Sequence, residues 1–340
     1  MKRRSPTLEG FQTIFRLPAL GLAEISWRWS FGLAASAAFL FFIREFLSTL
    51  PVTAGEMFLL RTRQPALILQ ALARIFRGSA PRAAAAFVVL TLALTVAWIV
   101  LASLSRAVIL KALLEYFRAS DRGRLAGAPE TLPVAAAPGL PALLVLNWLR
   151  AATMLAATVG LVGAVLMAGA VSPPDDPSPG KALLIFWLLA MLIGVACPLL
   201  NWYLSLAAIF VVRDGESAFG ALVKAVDLCR MRPGSLFAAG TWFGIAHAVV
   251  FVVATSAAAV PLGFADVLPG GMVLGGVLLV TLLYFAAVDF LYVGRLATYV
   301  FLLEPPEPEP EPEAVPRPQS DDDILSDIPG LVPPLEAAGG

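Results

Sequence analysis

The stretch TLLYFAAVDFLYVGRLATYV, residues 281–300, lies within an apolar run, residues 272–303, that is long enough to cross a bilayer. A hydrocarbon core of about 30 Å needs about 20 apolar residues in a helix. The quoted stretch also carries two charged residues, Asp289 and Arg295. Because charges inside membrane segments are costly, they mark candidate contacts or functional sites. The run therefore predicts a transmembrane helix and makes the partner of Asp289 the first question.

Five further apolar runs predict additional membrane helices: residues 29–47, 83–104, 151–171, 182–212 and 236–262. The first is interrupted by Arg44 and Glu45, so whether residues 29–47 span the membrane stays open. The composition agrees, since 59% of the residues are hydrophobic and 14% are charged, against about 25% charged in soluble domains. We therefore expect an all-α, polytopic membrane protein with about six transmembrane helices.

Charge is distributed unevenly along the chain. Residues 1–303 hold 23 Lys and Arg and 14 Asp and Glu, whereas residues 304–340 hold one Arg and ten Asp and Glu. The tail begins EPPEPEPEPE, a pattern that favours an extended, disordered spacer. The predicted organisation is an N-terminal cytoplasmic segment (1–28), a six-span membrane domain (29–303) and a disordered cytoplasmic tail (304–340). The end of this tail, DDDILSDIPGLVPPLE, is either a docking motif for a cytoplasmic protein or a solvated segment without a partner.

The basic residues predict the orientation, because cytoplasmic loops carry an excess of Lys and Arg. Both termini are then cytoplasmic, and residues 172–181 and 263–271 are external. Residues 48–82 do not fit this orientation, since it makes them external although they contain five arginines. The chain has 20 Arg and 4 Lys, a bias typical of GC-rich bacteria, so we expect a multi-pass protein of the bacterial inner membrane.

Three connecting segments have the apolar periodicity of amphipathic helices lying at the membrane interface: residues 65–76, 105–118 and 215–234. In the third segment, Phe219, Leu222, Val226 and Cys229 are expected on the apolar face. Basic residues expected to face the lipid headgroups are Lys224, Arg230 and Arg232. The bilayer is thus the expected partner, and nothing in the sequence indicates nucleic-acid binding.

Residues 207–245, AAIFVVRDGESAFGALVKAVDLCRMRPGSLFAAGTWFGI, combine an apolar helix end, a charged turn, an Ala-rich amphipathic helix and the next span. This pattern resembles the membrane domain of glycerophosphoryl diester phosphodiesterase membrane-domain proteins and of related uncharacterised bacterial six-span families. The resemblance implies a six-span fold. The soluble catalytic domain of that family, with its metal-binding Glu, Asp and His residues, has no counterpart in this chain, so no activity is implied.

Few residues could support catalysis. The chain has one histidine, His247, and no HExxH, CxxC, Walker A or GxSxG motif. We therefore expect no catalytic residues, no metal site and no cofactor. His247 is expected to bond a neighbouring helix, with proton relay as the alternative. Asn201 follows Pro198, which is expected to kink its helix, so Asn201 either lines a cavity or packs between helices.

Asp289 lies about one turn inside the predicted cytoplasmic boundary, at nearly the same depth as Arg150. The prediction is an interhelical ion pair between Arg150 and Asp289 that joins the third span to the sixth. The alternatives are a role in substrate gating and separate snorkelling of both side chains to the headgroups.

The sequence favours a non-enzymatic membrane protein, a scaffold or accessory component with a partner-binding acidic tail. The alternative is a small transporter or permease, and an intramembrane enzyme comes third. The substrate, the partner and the oligomeric state are not encoded in any pattern that the sequence displays.

Overall fold

A computed structural model describes residues 5–50, 52–62, 64–76, 78–121, 139–173 and 177–304, with the side chains of residues 120 and 121 excepted. These residues form ten α-helices and contain no β-strand. The helices are α1 (Pro6–Arg16), α2 (Pro18–Ser48), α3 (Ala54–Arg61), α4 (Pro65–Ile75), α5 (Ala80–Asp121), α6 (Leu140–Val171), α7 (Pro179–Asp214), α8 (Ala218–Met231), α9 (Pro233–Gly263) and α10 (Gly270–Leu303).

Six of these helices, α2, α5, α6, α7, α9 and α10, are long and apolar enough to cross a membrane. Their most apolar windows have mean hydropathies of 1.5 to 2.6. The predicted fold class, an all-α polytopic membrane protein with about six membrane helices, is confirmed. The interrupted first run lies within α2, which meets the length and composition that a span needs.

Local sequence explains where several helices begin and end. A proline stands in the first turn of α1, α2, α4, α6, α7 and α9. Its missing N–H removes no hydrogen bond there, because the N–H groups of the first turn have no acceptor within the helix. Helix α7 continues through Pro198 and ends at Asp214. The next residue, Gly215, has a φ of 70°, which favours glycine. Two residues later, the Ser217 hydroxyl accepts a hydrogen bond from the N–H of Gly220 and caps α8.

Buried apolar side chains gather at one end of the bundle, which we call the packed end. They come from the C-terminal parts of α5, α7 and α10, the N-terminal parts of α6 and α9, and α8. In contrast, only 0 to 6% of the residues in the most apolar windows of the six long helices are buried. The apolar windows are therefore available to bilayer lipids, while close packing between helices is concentrated at the packed end.

Helix α1 belongs to the packed end because it lies against α10. A Cβ at Gly10 would meet the hydroxyl of Thr298 and the carbonyl oxygen of Gly294, so only a glycine fits there. Phe11 also stacks on Phe243 of α9, with 4.6 Å between ring centroids. The described residues up to Glu304 form one compact unit. The predicted end of the N-terminal segment at residue 28 lies inside α2.

The three predicted amphipathic segments have different outcomes. Residues 65–76 contain the separate helix α4, and residues 215–234 contain α8, so both are helical as predicted. Residues 105–118 do not form a separate interfacial helix, because they continue α5 and bury Leu110 and Leu113 completely. Their apolar face packs against protein rather than lipid.

The helix α8 packs on the protein through small side chains. Ala221 and Ala225 are fully buried, whereas Phe219 of the predicted apolar face is 68% exposed and Leu222 and Cys229 of that face are partly buried against the core. Small side chains let α8 approach the other helices closely, which turns the bulky Phe219 outward. From residue 305 onward the predicted tail lies outside the described residues.

Candidate functional site

A layer of charged and polar side chains lies where the apolar runs meet the packed end. It contains Glu24 and Arg28 of α2, Ser103, Ser105 and Arg106 of α5, Asn147 and Arg150 of α6, Asn201 and Ser205 of α7, and Asp289, Tyr292 and Arg295 of α10. We call this set the charged layer. Five of the six membrane helices contribute to it, each through about two turns or less.

Arg28 links the two acidic side chains of the charged layer. Its Nε and Nη2 lie 2.7 and 2.6 Å from Oε1 of Glu24, one helical turn earlier. Its Nη1 donates to Oδ1 of Asp289 on α10 at 2.8 Å. Glu24 also accepts hydrogen bonds at Oε2 from Trp27 Nε1 (2.7 Å) and Ser105 Oγ (3.0 Å). The group therefore connects α2, α5 and α10 through charge-assisted hydrogen bonds.

A second network connects α5, α6 and α7. Asn147 donates from Nδ2 to Oγ of Ser103 at 2.8 Å, and both residues are buried. Arg150 donates from Nη1 to Oδ1 of Asn147 (3.2 Å) and from Nη2 to Oγ of Ser205 (3.1 Å). These contacts hold the Arg150 guanidinium on neutral oxygen acceptors, so its charge is not balanced by the network.

The predicted Arg150–Asp289 pair is wrong, because Asp289 pairs with Arg28 and Arg150 with Asn147 and Ser205. Both side chains belong to the charged layer. A first span that begins at residue 29 leaves Arg28 outside the membrane helices. Helix α2 in fact begins at Pro18 and brings Arg28 next to α10.

Tyr292 is surrounded by three guanidinium groups. The Cζ atoms of Arg106, Arg28 and Arg295 lie 4.6, 4.8 and 5.5 Å from the centroid of its ring. Such distances allow cation–π attraction, which stabilises a guanidinium without neutralising its charge. Sequence patterns offered one clue to this cluster: Arg28, Arg106 and Arg150 all stand immediately outside the apolar runs or within two residues of them.

Within the described part of the chain, three buried polar side-chain atoms have no hydrogen-bond partner: Arg106 Nη1, Arg150 Nε and Asn201 Oδ1. All three belong to the charged layer. Buried donors and acceptors are normally satisfied, and each exception needs an explanation. Asn201 had been expected to line a cavity or to pack, and the structure leaves its amide oxygen buried and unpaired.

His247 lies outside the charged layer, on α9. Its Nε2 is 3.3 Å from the hydroxyl of Tyr284 on α10, and the two rings meet edge to face. The expected interhelical bond of His247 is confirmed.

The predicted lipid-facing basic residues lie around α8. Lys224 Nζ lies 2.9 Å from Asp214 Oδ2 and 2.8 Å from Glu216 Oε1. Hydrogen bonds to Glu216 and Asp214 raise the pKa of Lys224. Arg232 donates from Nη1 to the carbonyl oxygen of Leu302 at 2.9 Å. Lys224 and Arg232 thus have protein partners that the prediction did not include, while Arg230 is exposed.

In the described ranges, no group of three or more His, Cys, Asp or Glu could hold a metal ion. The charged layer contains guanidinium groups, amides, hydroxyls and the two carboxylates that Arg28 binds. Guanidinium groups, amides and hydroxyls bind anions and hydrogen-bond acceptors.

Comparisons of the chain with protein-family models, with curated proteins and with solved structures found no match. The resemblance of residues 207–245 to a six-span membrane family stays a prediction. What the structure establishes is a multi-pass helical membrane protein with a charged layer between its apolar windows and its packed end.

Proposed function

We propose that this chain is a non-enzymatic scaffold or accessory component of the bacterial inner membrane, with both termini and the packed end on the cytoplasmic side. In this proposal the acidic tail, residues 304–340, binds a cytoplasmic protein partner. The charge asymmetry of the sequence supports this orientation, because the basic residues concentrate in the segments that meet at the packed end.

The observation that carries the proposal is the fixed position of Glu304, the residue with which the tail begins. Glu304 Oε1 lies 3.0 Å from Arg213 Nε of α7 and 3.1 Å from Arg118 Nη2 of α5. The preceding turn is bound as well, since Arg232 donates to the carbonyl oxygen of Leu302. Three arginines from different parts of the chain thus hold the end of α10, which suits a tail presented from a defined point.

The networks of the charged layer also favour a fixed platform. Hydrogen bonds within the charged layer join α2 to α10, α2 to α5, α5 to α6 and α6 to α7. A transporter that alternates between two open states must move such helices against each other. Breaking several charge-assisted hydrogen bonds in each cycle would oppose that movement.

The test compares the full chain with a chain that ends after Glu304, so that the Arg118 and Arg213 contacts are kept. Each form is crosslinked in intact cells, purified from membranes and examined for bound cytoplasmic proteins. We expect a defined partner to be recovered with the full chain and lost with the shortened one. A third form with the acidic residues of 307–336 changed to Asn and Gln tests whether charge mediates the contact.

The exposed Arg230 supplies a matched control for the membrane domain, and Arg230→Gln is expected to leave partner recovery unchanged. Recovery of the same proteins with and without the tail would contradict the scaffold proposal. Solute flux through vesicles containing the purified protein would instead support the alternative, a small transporter or permease.

A further inference from the structure

The charged layer carries more positive than negative charge. Its cations are Arg28, Arg106, Arg150 and Arg295, and its anions are Glu24 and Asp289, which leaves a surplus of two positive charges. Arg28 is the one arginine of the four that the acidic groups directly bind. Arg28 and the two carboxylates together carry one negative charge, and Arg106, Arg150 and Arg295 carry three positive charges, which gives the surplus of two.

Arg106 is the most unfavourable of these side chains. It is 7% exposed, and its Nη1 has no hydrogen-bond partner. Arg150 repels its charge most strongly, Glu24 attracts it, and Arg28 and Arg295 repel it more weakly. Its ring contact with Tyr292 supplies neither a hydrogen-bond acceptor nor a negative charge. Glu24 is already bound by Trp27, Arg28 and Ser105, so a further anion at Nη1 would stabilise the buried guanidinium of Arg106.

Arg150 presents a second unpaired donor. Its Nη1 and Nη2 are occupied by Asn147 and Ser205, whereas its buried Nε has no partner. Because two of its nitrogens are bound, one by Asn147 of the same helix and one by Ser205 of α7, the orientation of the third is fixed as well. Arg106 Nη1 and Arg150 Nε are thus two buried N–H donors without partners, on α5 and α6, which the Asn147–Ser103 hydrogen bond joins.

We propose that Arg106 and Arg150 form a binding site for a phosphate monoester group, with Arg295 adding charge from α10. A phosphate monoester carries about −1.5 to −2 charges at neutral pH, which matches the surplus of two positive charges. Its several oxygens can accept from two guanidinium groups at once. A carboxylate or a phosphodiester brings a single negative charge and would leave the surplus half balanced.

The depth of the site allows the group to come from either of two sources. Arg150 directly precedes the apolar run 151–171, and Arg106 lies two residues beyond the run 83–104. The site is therefore level with the headgroup boundary, where the phosphate of a lipid such as phosphatidic acid lies. Arg28, another arginine of the charged layer, has a side chain that is 34% exposed, and a free phosphate group would enter from that side.

The experiment measures the thermal unfolding midpoint of the full chain in detergent. Probes are inorganic phosphate, with potassium chloride at equal ionic strength as its control, and mixed micelles with phosphatidic acid, phosphatidylglycerol or phosphatidylcholine. A ligand at about a hundred times its Kd should raise the midpoint by on the order of 5 °C. Stabilisation by phosphatidic acid alone assigns the site to a lipid headgroup, and stabilisation by inorganic phosphate assigns it to a free group.

The variants Arg106→Gln and Arg150→Gln are expected to lose this stabilisation, while Arg230→Gln, on the exposed side of α8, keeps it. Without phosphate, Arg106→Gln should unfold at the same or a higher temperature than the natural chain, because it removes an unpaired buried charge. That second measurement separates loss of binding from loss of folding.

Three results would overturn the proposal. One is the absence of stabilisation by both inorganic phosphate and phosphatidic acid. Another is equal stabilisation of the natural chain and the Arg106→Gln and Arg150→Gln variants. The third is equal stabilisation by phosphatidylglycerol and phosphatidic acid, which would contradict the monoester class.

Discussion

Arg28 of α2 and Asp289 of α10 are separated by 261 positions in the sequence, yet their Nη1 and Oδ1 atoms lie 2.8 Å apart. Asp289 is 5% exposed, so its carboxylate depends on this partner. The pair joins the first membrane helix to the last. It therefore adds α10 to the series of hydrogen bonds that joins α2, α5, α6 and α7.

The first prediction concerns this pair. Arg28→Gln and Asp289→Asn should each lower the free energy of unfolding, and their double variant should lose less than the sum. The expected coupling energy is about 1 to 3 kcal/mol, since the two groups contact each other directly. Thermal or denaturant unfolding in detergent measures it. The same comparison of single and double variants with Arg150→Gln and Asp289→Asn should give a smaller coupling energy. Equal coupling energies would contradict the assignment of Arg28 as the partner of Asp289.

A second prediction concerns the contact between α1 and α10. Gly10→Ala should lower the free energy of unfolding by roughly 1 to 3 kcal/mol, because the added Cβ would overlap Thr298 and the Gly294 carbonyl. Gly244→Ala is the matched control, since a Cβ there meets nothing within 4 Å. Unfolding in detergent gives both values. Equal stability of the Gly10→Ala variant and the natural chain would mean that α1 does not pack as described.

The third prediction concerns the reactivity of Cys229 on α8. Burial raises the pKa of its thiol, so the reactive thiolate is scarcer at neutral pH than in a free cysteine, whose pKa is about 8.5. In a Cys197→Ser background, maleimide alkylation should be slower than that of a peptide thiol. The pH at which the alkylation rate reaches half of its maximum should also be higher for Cys229 than for the peptide thiol. A midpoint at or below that of the peptide would contradict the burial of this side chain.

A fourth prediction tests the proposed orientation. In a chain without Cys197 and Cys229, a Ser217→Cys variant should react with a membrane-impermeant maleimide only after the cells are permeabilised. An Ala265→Cys variant, between α9 and α10, should react in intact cells. The reverse pattern would place the packed end outside and contradict the proposal that both termini are cytoplasmic.

Run length and composition determined the fold class, because a helix must satisfy its own backbone within the bilayer and needs about 20 apolar residues to cross it. The same local rules located α4 and α8 and placed Arg150 and Asp289 at a similar depth. The His247–Tyr284 contact shows that even the general use of a lone polar residue was predictable, though its partner was not.

Only the tertiary structure decided which side chains meet. Depth along a helix can be counted from the sequence, but the rotation of each helix and its neighbours follow from packing between distant segments. Gly10 and Gly294 let α1 approach α10, and the start of α2 at Pro18 brings Arg28 to Asp289. The unpaired donors of Arg106 and Arg150 are likewise a product of that packing, because burial is a property of the assembled helices and not of any one run of residues.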